Sequence, residues 1–245
     1  SGQQPSRPVI PFAAEDVREY LEHLGFMPRL PSGCSTYLFL SGATLNGVAS
    51  TTGSLIEIEE VVPAREDHYD DVCVTLTAGL HELTANKGTS DPGSYHYHRQ
   101  GRANLVWGHP HRFVQGKHYG NGQDVLRPEN GDNRYWRDAD GDARQDADEG
   151  VRGGNGSMLI HAMGGSRIQR WGAGCLGIWD ARNYHGATWQ AWRDQAYSTC
   201  DQLSAIQVVI MPALDFARFL AEREHHQPTL WPGATGVWVE KLQRQ

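Results

Sequence analysis

Between residues 36 and 107 the chain runs through short stretches rich in Val, Ile, Thr and Tyr, each cut off by Gly, Pro, Asn or Asp. The stretches 36–40, 55–62, 72–77 and 103–107 are too short for helices and carry the β-branched and aromatic residues that suit a pleated surface, so strands are expected there. Leu55-Ile56-Glu57-Ile58-Glu59 alternates apolar and acidic residues, as a strand with one wet face does. Two amphipathic helices are expected beside these strands. One covers 13–24, with Val17, Tyr20, Leu21 and Leu24 at helical spacing and Gly25 as its stop. The other covers 213–224, with Leu214, Ala217 and Leu220 on one side. A closing strand is expected at 237–239. The pattern predicts a mainly β, β-rich α+β fold with peripheral helices, divided into an N-terminal helix-containing appendage (1–33) and a main domain (34–245).

At 245 residues the chain is long enough for a substantial core. It carries 22 Lys and Arg against 29 Asp and Glu, a net charge of −7, and has no basic run, which argues against general nucleic-acid binding. No stretch nears the roughly 20 apolar residues that a membrane-spanning helix needs. The first residues, Ser1-Gly2-Gln3-Gln4-Pro5, lack the basic and apolar regions of a signal peptide, and localisation stays unknown on that ground. The four cysteines, Cys34, Cys73, Cys175 and Cys200, lie far apart with no CxxC pair, which favours neither a zinc knuckle nor a dense disulfide framework.

The most informative segment is Met158-Leu159-Ile160-His161, an apolar strand ending on a histidine. It is followed, after a glycine-rich loop, by Trp171-Gly172-Ala173-Gly174-Cys175 and the apolar Leu176-Gly177-Ile178. A thiol is mostly protonated at neutral pH, so a nucleophilic cysteine needs an imidazole to take its proton. Adjacent strands would bring His161 and Cys175 side by side, and backbone N–H groups near Ala173, Gly174 and Cys175 would serve as an oxyanion hole. The bland alternative is a buried small hydrophobe and a satisfied polar histidine. His118, in Gly116-Lys117-His118-Tyr119-Gly120, suits a loop beside a cleft, where it would bind a substrate carboxylate or orient His161. Trp171 would lie on the cleft wall.

Two further constellations stand beside this one. Counting Asp138 as the first position, Asp138, Asp140, Asp142, Asp146 and Glu149 fall at positions 1, 3, 5, 9 and 12, close to a calcium-loop pattern. Ala143 stands where the sharp turn wants glycine, and an acidic solvated loop is the alternative. His96-Tyr97-His98 and His109-Pro110-His111 would each offer two nitrogens on one strand face, the basis of a rival metal-dependent hydrolase.

The segments around His161 and Cys175 resemble the L,D-transpeptidase catalytic domain, and more closely a branch of bacterial and phage-associated proteins with a pattern like GINIH…G…WSAGC. The likeness extends through Thr89-Ser90-Asp91-Pro92-Gly93, Gly101-Arg102-Ala103, the segment around His118, Leu126-Arg127 and Tyr135-Trp136-Arg137-Asp138, covering roughly 80–220. Gly172-Ala173 replaces the family's Ser/Thr-His, and no arginine follows the cysteine in Leu176-Gly177-Ile178. The resemblance implies an L,D-transpeptidase-like β-sandwich or barrel. It implies a cysteine peptidase or acyltransferase, hydrolase or transferase, acting on peptidoglycan stem peptides. Cys175 would be the nucleophile and His161 the base and later acid, its ring oriented by a backbone carbonyl near Ala162. No cofactor is required for this chemistry, a calcium ion being at most structural, and a periplasmic, secreted or wall-delivered location is favoured. A non-catalytic cell-wall-binding module is the third alternative.

Overall fold

The computed structural model describes residues 9–26, 35–60, 68–77, 82–90, 101–129, 133–139, 148–154, 158–168, 174–199 and 205–226. In chain order the elements are β1 (Val9–Ala13), α1 (Ala14–His23), β2 (Ser35–Ser41), β3 (Ala43–Thr44), β4 (Ser50–Gly53), β5 (Leu55–Glu60), β6 (Asp71–Thr77) and β7 (Leu83–Thr89). There follow β8 (Arg102–Leu105), β9 (His111–Lys117), β10 (Asp124–Pro128), β11 (Arg134–Asp138), β12 (Arg152–Gly153), β13 (Ile160–Met163), β14 (Leu176–Trp179), α2 (Ala187–Thr199), β15 (Ile206–Pro212) and α3 (Ala213–His226). With 47% strand and 22% helix, the protein is mainly β with few helices at its periphery, the class the short β-branched runs predict.

The largest sheet has the order β14-β13-β10-β9-β15-β2-β6-β7-β4, and β14 also pairs with β7. Every strand of it except β4 therefore closes into a barrel. Closure explains why Ser35-Thr36-Tyr37-Leu38-Phe39-Leu40-Ser41 is buried at every position: one side chain in two points into the barrel and the other into an outer core. Tyr37, Phe39, Cys73, Phe113, Leu126, Ile160, Leu176 and Val208 form the inner cluster, together with Trp189 and Trp192 from α2. Leu38, Leu40, Val72, Val74, Val209 and Met211 form the outer one, against α1, α3 and the small sheet β1-β5-β3.

The segment read as an appendage shares this outer core. Strand β1 pairs antiparallel with β5 from Val9↔Glu59 to Ala13↔Leu55. Val17, Tyr20 and Leu21 of α1 pack in the same cluster as Leu38 and Val72, and Arg223 of α3 ion-pairs with Asp16 and Glu19 of α1. The domain boundary expected near residues 31–33 and the closing strand at 237–239 lie outside the described residues.

Helix α2, which was not expected from the sequence, begins through a carboxylate outside it. Asp180, buried, accepts the Arg182 N–H on Oδ1 at 2.9 Å and the Trp189 N–H on Oδ2 at 3.1 Å, the latter an otherwise orphaned donor of the first helical turn. Gly186 is needed for this: a Cβ there would fall 1.6 Å from Asp180 Oδ1. Asp180→Ala is expected to cost about 1–2 kcal/mol, read as a drop of roughly 2–8 °C in the unfolding midpoint. An unchanged midpoint would remove this role from Asp180.

Candidate active site

A His161–Cys175 pair set 14 positions apart in the chain meets only if the backbone doubles back to begin a strand level with the one it left. Strands β13 and β14 do this as a parallel pair, joined by a crossover of the length parallel strands need, with Ile160↔Leu176 and His161↔Gly177 in register. Cys175 directly precedes β14. Because side chains alternate, Cys175, Gly177 and Trp179 share a face with His161 and Met163, while Ile160, Ala162, Leu176 and Ile178 point into the barrel. Cys175 and Trp179 pack against Tyr69, Met163 and Ile168 on that outer face.

Each of the two groups is held by backbone. The Leu159 N–H donates to Cys175 Sγ at 3.4 Å, and the Leu176 N–H to the Leu159 carbonyl at 2.9 Å. His161, only 3% exposed, places Nδ1 at 2.8 Å from the Ala162 carbonyl oxygen. A carbonyl can only accept, so Nδ1 carries the proton and Nε2 is the basic nitrogen of the neutral ring. The carbonyl expected to orient the imidazole is thus the one that does. Gly174, at φ +120° with its would-be Cβ 2.5 Å from the Ala103 carbonyl oxygen, is required both by its backbone conformation and by close approach to β8.

Three more side chains meet the His161 ring or its neighbours. The His118 ring stands edge-on to it at 5.7 Å between centroids, and the Tyr184 ring stacks on it at 6.2 Å and 19°. His118 Nδ1 accepts the Gly120 N–H at 3.0 Å, which leaves the proton of its neutral ring on Nε2. Asn121, in the same β9–β10 turn, hydrogen-bonds Tyr184, and the Tyr184 phenol also feels the Cys175 thiol. Burial foremost, and Cys175 after it, push that phenol up to about 12. Tyr184 and Asn121 have no counterpart in the sequence reading. The signal for Tyr184 is faint: an aromatic in a turn, held in a 3₁₀ segment at Asn183–His185 by Asn183 at φ 55°.

Burial makes the Cys175 thiol harder to ionise than a free one. Cys175 is partly exposed as a residue, but protein surrounds its sulfur, and that burial pushes the thiol up to about 11 against the lowering effect of the Leu159 amide. At neutral pH it rests protonated, so a thiolate forms only when a base takes the proton. Cys73, the other described free cysteine, lies inside the barrel, where burial raises its thiol further still. Cys34, Cys200, Ala173 and Trp171 lie outside the described residues.

The calcium-pattern residues are placed only at their two ends. Asp138 is buried in an ion pair with Arg102 at 3.2 Å, and Glu149 Oε1 accepts the Ala139 N–H at 2.5 Å, closing the acidic loop at its base. Asp140, Asp142 and Asp146 lie outside the described residues, and among those described no three His, Cys, Asp or Glu side chains converge to hold an ion. Of the histidine pairs, His96 and His98 are likewise outside. His109 and His111 do meet, their rings 5.0 Å apart, but His111 is fully buried and its Nε2 donates to the Val106 carbonyl oxygen at 2.9 Å.

Burial, with a smaller contribution from His109, lowers His111 to about 4. Its neutral form therefore supports the fold above the unfolded value of about 6.5, and that support is lost as pH falls from there towards 4, by about 3 kcal/mol in all. Urea unfolding at pH 7, 5.5 and 4.5 is expected to show a steeper acid loss in the natural protein than in His111→Gln. Equal slopes would refute this role.

No helix among the described residues is long and apolar enough to cross a membrane. No family model, curated protein or solved structure matches the chain.

Proposed function

We propose that the protein is a cysteine-dependent peptidase or transpeptidase that attacks peptide carbonyls in peptidoglycan stem peptides through an acyl-enzyme. The observation that carries this is the shared outer face of β13 and β14, which bears Cys175 and a His161 whose Nδ1 is bonded to the Ala162 carbonyl and whose Nε2 is the basic nitrogen. The substrate class rests on the resemblance of the segments around those two residues to the L,D-transpeptidase-like branch.

With the thiol protonated at rest, attack and proton transfer belong to one step. As the Cys175 sulfur bonds to the carbonyl carbon, its proton passes to His161 Nε2 and the carbonyl electron pair moves onto oxygen. Collapse of that intermediate expels the amine, which leaves with the proton from His161 and a thioester behind it. Water or a second amine then attacks the thioester, His161 takes the incoming proton, and the thiol is restored as the bond to sulfur breaks. Backbone donors around Gly174 would steady the oxyanion, and Tyr184 and His118 flank the imidazole that shuttles the proton.

Incubating the protein with muropeptides and identifying the products by mass tests the reading directly. Loss of a stem-peptide residue marks hydrolysis and exchange of one marks transpeptidation. Unchanged muropeptides together with intact binding to sacculi would favour a non-catalytic wall-binding module.

A further inference from the structure

The outer face that carries Cys175 also carries a lysine that the proposed chemistry does not use. Strand β7 pairs antiparallel with β14 at Gly177↔Thr89 and Ile178↔Gly88, and one more residue of that register sets Lys87 opposite Trp179. The Lys87 ammonium lies 4.7 Å from the centre of the Trp179 ring and 5.9 Å from that of Tyr69. Both rings are anchored to the turn that follows β13: Trp179 Nε1 donates to the Gly165 carbonyl at 2.9 Å, and the Tyr69 hydroxyl to the Gly164 carbonyl at 2.8 Å. They pack in the cluster that holds Cys175, so lysine, rings and thiol lie on one face of the sheet.

An ammonium carries three donors and a full charge, and aromatic faces satisfy the charge without accepting those donors as an oxygen would. Elsewhere a carboxylate meets such a cation, as Asp124 meets Lys117 and Asp138 meets Arg102. Lys87 has neither a carboxylate nor a hydrogen-bonding oxygen at its ammonium among the described residues, although burial is already lowering its hold on the proton. A half-buried cation backed by two fixed rings is matched by an anion that arrives with a ligand.

Resting on the acyl-transfer reading above, we infer that Lys87, framed by Trp179 and Tyr69, is the subsite for a free carboxylate on the peptide whose carbonyl Cys175 attacks. Cys175 stands four positions before Trp179, about 13 Å along the strand, a separation that an extended peptide covers in a few residues. The subsite would hold the ligand in register along β14 and set which carbonyl reaches the sulfur. Lys87 is a substrate-binding residue on this account and takes no part in the bond-making steps.

The test uses the full chain with Cys175→Ala, so that ligand is bound and not consumed, and two probes: the stem tetrapeptide L-Ala-γ-D-Glu-meso-diaminopimelyl-D-Ala and the same peptide with its carboxylates amidated. Calorimetric titration is expected to show amidation weakening binding at least about tenfold when Lys87 is present, less than about twofold in Lys87→Met, and an intermediate penalty in Lys87→Arg. Lys87→Arg guards against a general loss of packing in Lys87→Met. An equal amidation penalty with and without Lys87 overturns the subsite and leaves the acyl-transfer reading standing. Binding of neither peptide, with no turnover by the Cys175 protein, overturns both.

Discussion

Cys175→Ala is expected to lower turnover of muropeptides by at least about 10⁴-fold while leaving the fold in place. The chemical loss is large because the acyl bond is made to the Cys175 sulfur and the other described free thiol, Cys73, lies inside the barrel. The structural loss is small. The sulfur touches a satellite cluster of Tyr69, Met163 and Ile168, apart from both main cores, and its removal should cost about 1 kcal/mol, a shift of roughly 2–4 °C in a chain of this size. His161→Ala should cost nearly as much activity as Cys175→Ala, and the double variant no more than either, since nucleophile and base act as one unit. Full turnover by Cys175→Ala would end the acyl-enzyme proposal.

The second large effect concerns when the thiolate exists. A thiol pushed up to about 11 by burial is thiolate in only about one molecule in 10⁴ at pH 7. Alkylation of Cys175 by iodoacetamide, followed by peptide mass mapping in a Cys34→Ser/Cys200→Ser background, is therefore expected to speed up about tenfold per pH unit from 7 to 10 and to level off only near 11. A cysteine already ionised by a neighbouring imidazolium would instead react at a rate nearly independent of pH from 7 upward. That flat profile would contradict the single-step attack and proton transfer described above. The comparison also bears on the bland alternative, because a sulfur sealed in the interior would resist the reagent at every pH at which the protein stays folded.

Much of the architecture was legible in the residues. The stretches at 36–40, 72–77 and 103–107 correspond to β2, β6 and β8, and the helices expected at 13–24 and 213–224 to α1 and α3. Each has a run or a period that packing then confirms, such as Val17, Tyr20 and Leu21 on the buried side of α1. Helix α2 was not read from the sequence although buried Trp189, Trp192 and Ala196 stand at helical spacing in it, and its first turn is held from Asp180, seven residues ahead of Ala187. Strands β9, β10 and β11 were missed because polar and charged residues such as Arg112, Gln115, Arg127 and Arg137 interrupt them.

For the site, local order in the chain named His161, Cys175, Gly174 and His118 as candidates, because each chemical requirement, a thiol, a base, a glycine for close approach, is a property of residue type. What residue type cannot convey is which atoms face one another and how much water surrounds them. The parallel register of β13 and β14, the Tyr184 ring over His161 and the raised thiol arise from tertiary packing, and barrel closure through β14 and β7 sets the lysine between two rings. Proton affinity depends on that surrounding medium. The amino acids thus set what chemistry was available, and the closed sheet decided where it is gathered and in which protonation state it waits.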